Sequence, residues 1–265
     1  DILAAVPILQ ANNMEIGMPN STNLFLYQMG GELFADEGMR INLDSNTALD
    51  AFEMMCNMFT MYSFPYTYDF ANRFRTGEMP IGIASYGMCN QLEIFATEIS
   101  GLWGFVPLPG YERADGTIDN VANASVSGCL MLAGCDNPQN AWEFMKWWTG
   151  EDAQYRFGTE IESLLGAAAR YQTANLQAMS RLPWDKKSMT MIQEQWKYSN
   201  AIPQVPGGYY TARNIEFAWK EVINNAAADP NTTFVEYVSK IDREIDRKRE
   251  EFKDKIAQMT GKAVE

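Results

Sequence analysis

The sequence predicts an α/β fold, in which short apolar strands alternate with amphipathic helices. An apolar run at Met79–Ala84, typical of a strand buried on both faces, precedes a helical pattern at Cys89–Thr97. A second apolar run at Leu102–Val106 ends at Pro107 and Pro109, and it predicts another strand. The order of strand, helix and strand favours helices that pack against a sheet.

The elements before this stretch follow from local patterns. Apolar spacing predicts a helix over Asp1–Gln10, and a short strand is predicted within Met14–Met18. A polar loop precedes a helix at about Asn23–Gly30, and Asp36-Glu37-Gly38 predicts a turn between two short strands. Asp44 or Ser45 then caps an amphipathic helix. Its apolar stripe is Leu49, Phe52, Met55, Met58 and Phe59.

The middle of the chain predicts a hairpin, a strand and an aromatic helix. Tyr111–Asn123 is polar and contains glycine, so we expect a loop or hairpin, and Ser125–Leu132 predicts a strand. Pro138 begins a helix that is crowded with tryptophan. This helix either packs one face against a sheet or, if that sheet lies outside the chain, exposes its tryptophans.

Helices dominate the remainder of the chain. We expect helices at Glu151–Ser163, at Thr173–Arg181 and at Lys187–Tyr198. A loop that is rich in proline and glycine leads into a helix that ends near Ala227. The last helix, from Thr232 onwards, has an apolar stripe and ends in a charged run typical of a solvated helix. Its stripe is Phe234, Val238, Ile241 and Ile245.

The composition excludes several classes of function. The chain has 265 residues, of which 46% are apolar, enough to bury one large core or two smaller ones. It contains no histidine, so Ser-His-Asp catalysis, Cys-His catalysis and the usual zinc sites are excluded. A net charge of -13 argues against nucleic acid as a partner, because phosphates require a basic surface. The sequence contains no apolar run of about 18 residues, the length that a membrane-spanning helix needs.

The four cysteines do not predict a disulfide framework. Cys129 and Cys135 flank a strand-like run, and an extended chain would hold them about 20 Å apart. Cys56 lies on the apolar face of a predicted helix, beside Met55 and Phe59. We therefore predict four buried free thiols that pack as small hydrophobic side chains.

Six segments spread over nearly the whole chain carry a family resemblance. They are Tyr27–Phe34, Asp36–Phe52, Phe74–Gly110, Ala141–Gly158, Glu162–Asn175 and Pro203–Asn224. In this order they resemble the extracellular solute-binding proteins of family 1, the sugar receptors of bacterial ABC importers to which maltose-binding proteins belong. Each segment alone is weakly specific, but six in matching order are unexpected by chance.

The resemblance implies a periplasmic-binding-protein-like lobe of type II. It assigns residues 1–107 and 165–265 to the C-terminal lobe, and residues 108–164 to a crossover segment of the N-terminal lobe. Family members carry a signal peptide, often with a lipid-modified cysteine, and a first lobe before the helix that Asp1 begins. By that comparison the chain is a fragment that lacks most of the N-terminal lobe.

The resemblance also implies a binding protein and not an enzyme. We expect the substrate-binding component of an ABC importer, which captures a carbohydrate, an oligosaccharide, in a cleft between two lobes. The expected partners are this carbohydrate and the membrane subunits of the importer. The expected location is the cell surface or the periplasm, with a lipid anchor outside this chain. No cofactor and no metal is expected.

Seven residues at the ends of elements are candidates for sugar contacts. Sugar receptors stack aromatic rings on the apolar faces of a sugar and direct planar polar groups at its hydroxyls. The candidates are Asn20, Ser21, Tyr86, Tyr209, Tyr210, Arg213 and Asn214. The competing interpretations are half-buried packing rings for the tyrosines and, for Arg213, an exposed ion pair with Glu216.

The chain departs from the maltose-binding pattern at two of these positions. The loop at Asn20 and Ser21 carries an aromatic residue in the family, and Gly87, beside Tyr86, is commonly tryptophan there. These departures argue against maltodextrin as the ligand.

Two further classes of function remain as alternatives. A carbohydrate-active enzyme would need two carboxylates that face each other across a cleft. Glu160 and Glu162 do not suit this role, because residues two apart on a helix point in different directions. The other alternative is a receptor lobe that serves as a sensor or scaffold module in a larger chain.

Overall fold

The computed structural model describes residues 2–36, 40–125 and 127–260 of the chain, and the side chains of these residues except 2 and 256–260. The described part is a helix-rich α/β fold. Its helices are α1 (Ile2–Ala11), α2 (Thr22–Gln28), α3 (Asn46–Thr60), α4 (Phe70–Arg75), α5 (Gly87–Phe95), α6 (Pro138–Thr149), α7 (Glu151–Leu165), α8 (Leu176–Arg181), α9 (Lys186–Trp196), α10 (Tyr209–Asn224) and α11 (Pro230–Thr260). Its strands are β1 (Ile16–Gly17), β2 (Phe34–Ala35), β3 (Arg40–Ile41), β4 (Ile81–Gly82), β5 (Tyr111–Glu112), β6 (Ile118–Asp119), β7 (Ala122–Ala124) and β8 (Ser199–Ala201).

The chain divides into two compact units. The first unit contains the described residues of Asp1–Tyr68, Leu108–Ala124 and Tyr198–Glu265. The second contains those of Asp69–Pro107 and Ser125–Lys197. This division differs from the predicted one, because it splits the crossover segment 108–164 between the units. Which lobe each unit represents stays a prediction.

Helix α3 lies at the centre of the first unit, as its apolar stripe predicts. The hydroxyl of Ser45 caps it by accepting a hydrogen bond from the Ala48 amide at 3.3 Å. Its buried side chains, among them Phe52 and Met55, pack in the core to which α10 and α11 also contribute. The predicted stripe of α11 is buried in full.

A β-hairpin completes the first unit, in agreement with the prediction for Tyr111–Asn123. Strands β5 and β6 pair antiparallel, and β7 pairs parallel with β8. The side-chain amide of Gln28, at the end of α2, donates to the carbonyl oxygens of Pro109 and Val121 at 3.1 and 3.2 Å. Arg113 Nε donates in return to the Gln28 carbonyl oxygen at 2.9 Å. These bonds tie the start of the predicted crossover segment to the first unit.

The second unit has a smaller core. Met179, Leu182 and Ile192, from the α8 and α9 region, form its buried centre. Partly buried aromatic side chains surround this centre, and Tyr86 is one of them. Gln154 adds a buried polar link, because its side-chain oxygen accepts hydrogen bonds from Tyr171 and Thr173.

The predicted helices are all present, with ends displaced by at most three residues. The strand predictions are less accurate. Within Met79–Ala84 only β4 is a strand, and Ile81 is exposed, so this run is not buried on both faces. Leu102–Val106 and the described residues of Ser125–Leu132 form no strand, and Leu130 is 89% exposed. An apolar run becomes a buried strand only where other elements pair with it and cover it.

The cysteines follow the prediction only in part. All four are free thiols, and Cys56 and Cys89 are buried. Burial raises the pKa of Cys56 to about 12 and that of Cys89 to about 11. The prediction of burial is wrong for Cys129 and Cys135, which are partly exposed in a segment where the described residues form no strand.

Of the two predicted alternatives for α6, the structure shows the one in which its tryptophans are exposed. None of its residues is buried, and Trp142, Phe144 and Trp147 are 50%, 58% and 61% exposed. We refer to these three side chains as the α6 aromatic patch. Such a concentration of exposed rings is unusual for a helix of a globular protein.

Candidate functional site

The seven candidate residues divide between the two units. Tyr86 lies in the second unit, and the other six lie in the first. Within the first unit they occupy the start of α2 and the start of α10. Five of the seven lie at helix N-termini, whereas Arg213 and Asn214 lie in the second turn of α10. The first amides of α10 already donate within the protein, since those of Tyr210 and Thr211 bond to the carbonyl oxygens of Gly207 and Gly208. The candidates therefore offer side chains for contact with a ligand.

Tyr86 is the residue that precedes α5. Its ring is half-buried, and burial raises the pKa of its hydroxyl. The ring centre lies 6.0 Å from that of Trp184, with the two planes inclined by 58°. A Cβ atom on the neighbouring Gly87 would lie 2.9 Å from the side-chain nitrogen of Gln172. The space that a larger side chain at position 87 needs is thus occupied by Gln172.

Asn20 and Ser21 are held by local hydrogen bonds. The side-chain oxygen of Asn20 accepts from the amide and the hydroxyl of Thr22, at 3.4 and 3.2 Å. The Ser21 hydroxyl donates to the Pro19 carbonyl oxygen at 3.1 Å, and its amide donates to the sulfur of Met55 at 3.3 Å. Asn20 therefore bonds the first residue of α2, while the side chain of the N-cap residue Ser21 makes no capping hydrogen bond.

Tyr209 and Tyr210 begin α10 in an edge-to-face pair, with ring centres 6.1 Å apart. The Tyr209 ring is 64% exposed, and its hydroxyl lies 3.4 Å from Glu244 Oε1. The preceding loop is fixed against α11, since Gly207 has a φ of +81° and a Cβ there would lie 3.1 Å from Ile245 Cα. A loop that packs closely on α11 thus presents one exposed ring and one half-buried ring.

Arg213 and Asn214 have different surroundings. Asn214 is buried, and its side-chain amide donates to the Tyr210 carbonyl oxygen at 2.8 Å. Arg213 is exposed, with its guanidinium carbon 5.9 Å from the Phe217 ring centre. Glu216, its competing partner in the sequence, forms an ion pair with Lys220 at 2.6 Å. The structure thus joins Asn214 to Tyr210, and it leaves Arg213 accessible.

Trp184, which contacts Tyr86, and Arg170, which contacts Trp184, escape detection in the sequence. Trp184 follows a proline in a short loop, and Arg170 follows three alanines in a 3-10 turn. Both contact each other, because the Arg170 guanidinium carbon lies 5.3 Å from the Trp184 ring centre. No spacing or repeat distinguishes them in the sequence, so only the chain of contacts from Tyr86 to Trp184 to Arg170 identifies them.

Glu160 and Glu162 lie in different surroundings, in agreement with the expectation that they form no pair. Glu162 Oε1 accepts a hydrogen bond from Arg170 Nε at 3.1 Å, and Glu160 is exposed on the same helix. Across the described residues, no three His, Cys, Asp or Glu side chains are grouped as a metal ion would require. None of the described helices combines the length and the apolar composition that crossing a bilayer requires.

Comparison with known proteins gives a family and a fold. The model of the bacterial extracellular solute-binding protein family matches residues 1–183. No curated protein sequence matches the chain.

Solved structures with the same fold include several named as binding proteins. The sugar-binding protein MalE of Xanthomonas citri has a TM-score of 0.69 and 15% identity, over 91% of this chain and 60% of that one. A solute-binding protein of an ABC transporter from Thermotoga lettingae, bound with α-D-tagatose, has a TM-score of 0.63 and 14% identity, over 89% and 61%.

A third structure is the maltose/maltodextrin-binding domain MalE of Bdellovibrio bacteriovorus bound to maltotriose. Its TM-score is 0.61 at 15% identity, and the match covers 87% of this chain and 60% of that one. At such identities the likeness shows the fold, and it confirms the predicted class. The chain spans about three fifths of the length of each of these structures.

Proposed function

The chain belongs to the family of bacterial extracellular solute-binding proteins, and from that premise we propose that it is the substrate-binding part of an ABC importer that captures a carbohydrate. The family match over residues 1–183 carries this proposal. It is supported by the three solved structures above, whose names give sugar-binding or ABC-transporter functions. The described residues are compatible with a receptor, because three tyrosine rings lie at helix starts and Arg213 is exposed.

The finer parts of the proposal concern the architecture of the whole receptor. An oligosaccharide would lie in a cleft between two lobes, and closure would place its hydroxyls against fixed donors and acceptors. The closed receptor would then meet the membrane subunits of the importer. Its place would be outside the cytoplasmic membrane, as the name of the family implies.

The proposed contacts use two kinds of group. The rings of Tyr86, Tyr209 and Tyr210 would stack on pyranose faces, since stacking uses the apolar CH surface of a sugar. Arg213 is exposed and can donate to a hydroxyl. Asn214 has the weakest support, because it is buried and its amide already donates to Tyr210.

A screen of neutral sugars tests the proposed function. The chain and the complete gene product would be screened against immobilised mono- and oligosaccharides that include tagatose and maltotriose, followed by calorimetry with each sugar retained. We expect saturable binding of at least one sugar by the complete product. Binding of amino acids or peptides instead, with no sugar retained, would contradict the proposal.

A hydrolysis assay separates this proposal from a carbohydrate-active enzyme. Nitrophenyl glycosides and the retained oligosaccharide would be incubated with purified protein. We expect no release of nitrophenol or of shorter sugars above the background. Hydrolysis that persists through purification and disappears on substitution of one Asp or Glu would favour the enzyme.

A further inference from the structure

Arg170 is held between two carboxylates of the second unit. Its Nε donates to Glu162 Oε1 at 3.1 Å, and its Nη1 donates to Glu93 Oε2 at 3.0 Å. The Arg170 and Glu162 side chains are 14% and 16% exposed, so solvent and salt screen this pair less than the surface ion pairs of the chain. Two charge-assisted hydrogen bonds from one planar group fix the orientation of the guanidinium.

The fixed guanidinium lies against an aromatic pair. Its carbon is 5.3 Å from the centre of the Trp184 ring, within the range of a cation–π contact. The Trp184 ring in turn contacts that of Tyr86, with centres 6.0 Å apart. Arg170 therefore contacts Trp184, and Trp184 contacts Tyr86. All three contacting groups are planar and rigid.

The contacts around Arg170 leave several polar atoms unsatisfied. Trp184 Nε1, Glu162 Oε2 and Asn90 Oδ1 are buried, and none has a hydrogen-bond partner among the described residues. All three belong to residues that touch Arg170, since the Asn90 side-chain nitrogen donates to the Arg170 carbonyl oxygen at 3.4 Å. Buried polar atoms of this kind are commonly bonded by ordered water, so the three atoms mark a polar environment around Arg170.

We propose that Arg170 and Trp184 are positioning residues that hold the Tyr86 ring in one orientation for contact with a sugar. Arg170 does this in two ways, because it supports Trp184 and also binds Glu93 on α5, the helix that follows Tyr86. A ring held in place before binding loses little freedom when the sugar arrives, which favours affinity. The functional part of this inference rests on the proposed sugar contact of Tyr86.

A fluorine label at position 86 reports the orientation of the ring directly. The full chain would carry 3-fluorotyrosine at Tyr86, and its ¹⁹F spectrum would be compared in Arg170→Met, Trp184→Leu and Trp184→Phe variants. We expect a sharp signal in the parent, and a displaced and broadened signal in Arg170→Met and Trp184→Leu. Trp184→Phe keeps an aromatic face next to Tyr86, so we expect its ¹⁹F signal to be as sharp as that of the parent.

Arg181→Met provides a matched control. In the parent protein, the guanidinium carbon of Arg181 lies 4.0 Å from the Tyr155 ring centre. Arg181 also pairs with Glu151 and Asp152. The control therefore removes an arginine–aromatic contact of the same kind from the same unit. We expect this variant to leave the ¹⁹F signal of position 86 unchanged. Thermal unfolding by circular dichroism would establish that each variant is folded.

The outcomes separate this inference from the proposed function. A signal that stays sharp and unshifted in both Arg170→Met and Trp184→Leu overturns the inference, whatever sugar the protein binds. If the signal responds as expected but Tyr86→Ala leaves binding of the sugar retained in the screen unchanged, the ring is held for packing and the proposed role in positioning is wrong. If Tyr86→Ala and Arg170→Met both weaken that binding at least several-fold while Arg181→Met does not, the inference is supported.

Discussion

The ring of Phe52 stacks face to face on the ring of Phe234, with centres 4.2 Å apart and planes inclined by 12°. Both side chains are fully buried, and they join α3 to the N-terminal part of α11. The glutamate Glu53 beside this stack lies within 3.4 Å of the Asn231 amide nitrogen. The two helices thus meet over a large aromatic contact with a polar link at its edge.

Removal of the Phe52 ring should destabilise the first unit strongly. We expect Phe52→Ala to lower the free energy of unfolding by about 3–5 kcal/mol, because a large cavity replaces a buried ring. Phe217→Ala is the control on α10, where the side chain is 45% exposed, and it should cost less than about 1 kcal/mol. Urea unfolding followed by circular dichroism measures both values. Equal losses in the two variants would contradict the central place of the stack.

Gly207 should tolerate no side chain. Its φ of +81° disfavours other residues, and a Cβ would press on the backbone of α11 at Ile245. We expect Gly207→Ala to destabilise the protein by more than about 1 kcal/mol. Gly116→Ala separates the two causes, because Gly116 has a φ of +79° but nothing within 4 Å of the added atom. A Gly207 variant no less stable than the Gly116 variant would exclude the contact with α11 as a cause.

The four thiols should divide into two classes of reactivity. Cys129 and Cys135 are partly exposed, whereas Cys56 and Cys89 are buried and protonated at neutral pH. We expect a thiol reagent at pH 8 to modify two cysteines rapidly in the folded protein and all four in urea. Mass spectrometry of the modified peptides identifies the sites. Rapid labelling of Cys56 without denaturant would contradict its burial.

The same burial predicts a loss of stability at alkaline pH. The pKa of Cys56 rises from 9.0 to about 12 in the folded protein, so above pH 9 the unfolded chain releases a proton that the folded protein keeps. The stabilising contribution is therefore complete below pH 9 and declines as the pH rises from 9 towards 12. Urea unfolding between pH 7 and 10.5 should show this decline, and Cys56→Ala should make it shallower. An identical decline in the variant would assign it to other groups.

The α6 aromatic patch should bind hydrophobic molecules without contributing to stability. We expect the double variant Trp142→Gln/Trp147→Gln to reduce the fluorescence of a bound hydrophobic dye, because these rings form exposed apolar surface. Its free energy of unfolding should change by less than about 1 kcal/mol. Trp219→Gln, which alters a buried tryptophan, should instead destabilise the protein. Dye binding unchanged in the double variant would place the binding surface elsewhere.

The tyrosines of the proposed sugar contact should contribute separately to affinity. Removal of one ring, in Tyr86→Ala, Tyr209→Ala or Tyr210→Ala, should weaken sugar binding by about 1–3 kcal/mol, the value of a well-buried aromatic contact. Calorimetry of the complete gene product with the sugar found in the screen measures this loss. If all three variants bind as the parent does and remain folded, these rings serve only for packing.

Local sequence patterns were enough to predict every described helix except the short α4. The apolar stripes of α3 and α11, the cap at Ser45 and the proline that begins α6 are local patterns, and the helices they predict are present. A helix forms hydrogen bonds within its own segment, so its position depends on neighbours three or four residues away. The family resemblance, which depends on the order of several segments, was also available from the sequence, and the comparisons confirm it.

The tertiary structure decided which strands form and what surrounds the candidate residues. Apolar runs at Leu102–Val106 and around Leu130 predict strands, but a strand needs a partner that its own residues do not specify. The same reason applies to Tyr86. Its position after an apolar run is visible in the sequence, whereas its contact with Trp184 joins segments far apart along the chain. Local patterns contain no information about such a contact, because it exists only once both segments have packed on the same core.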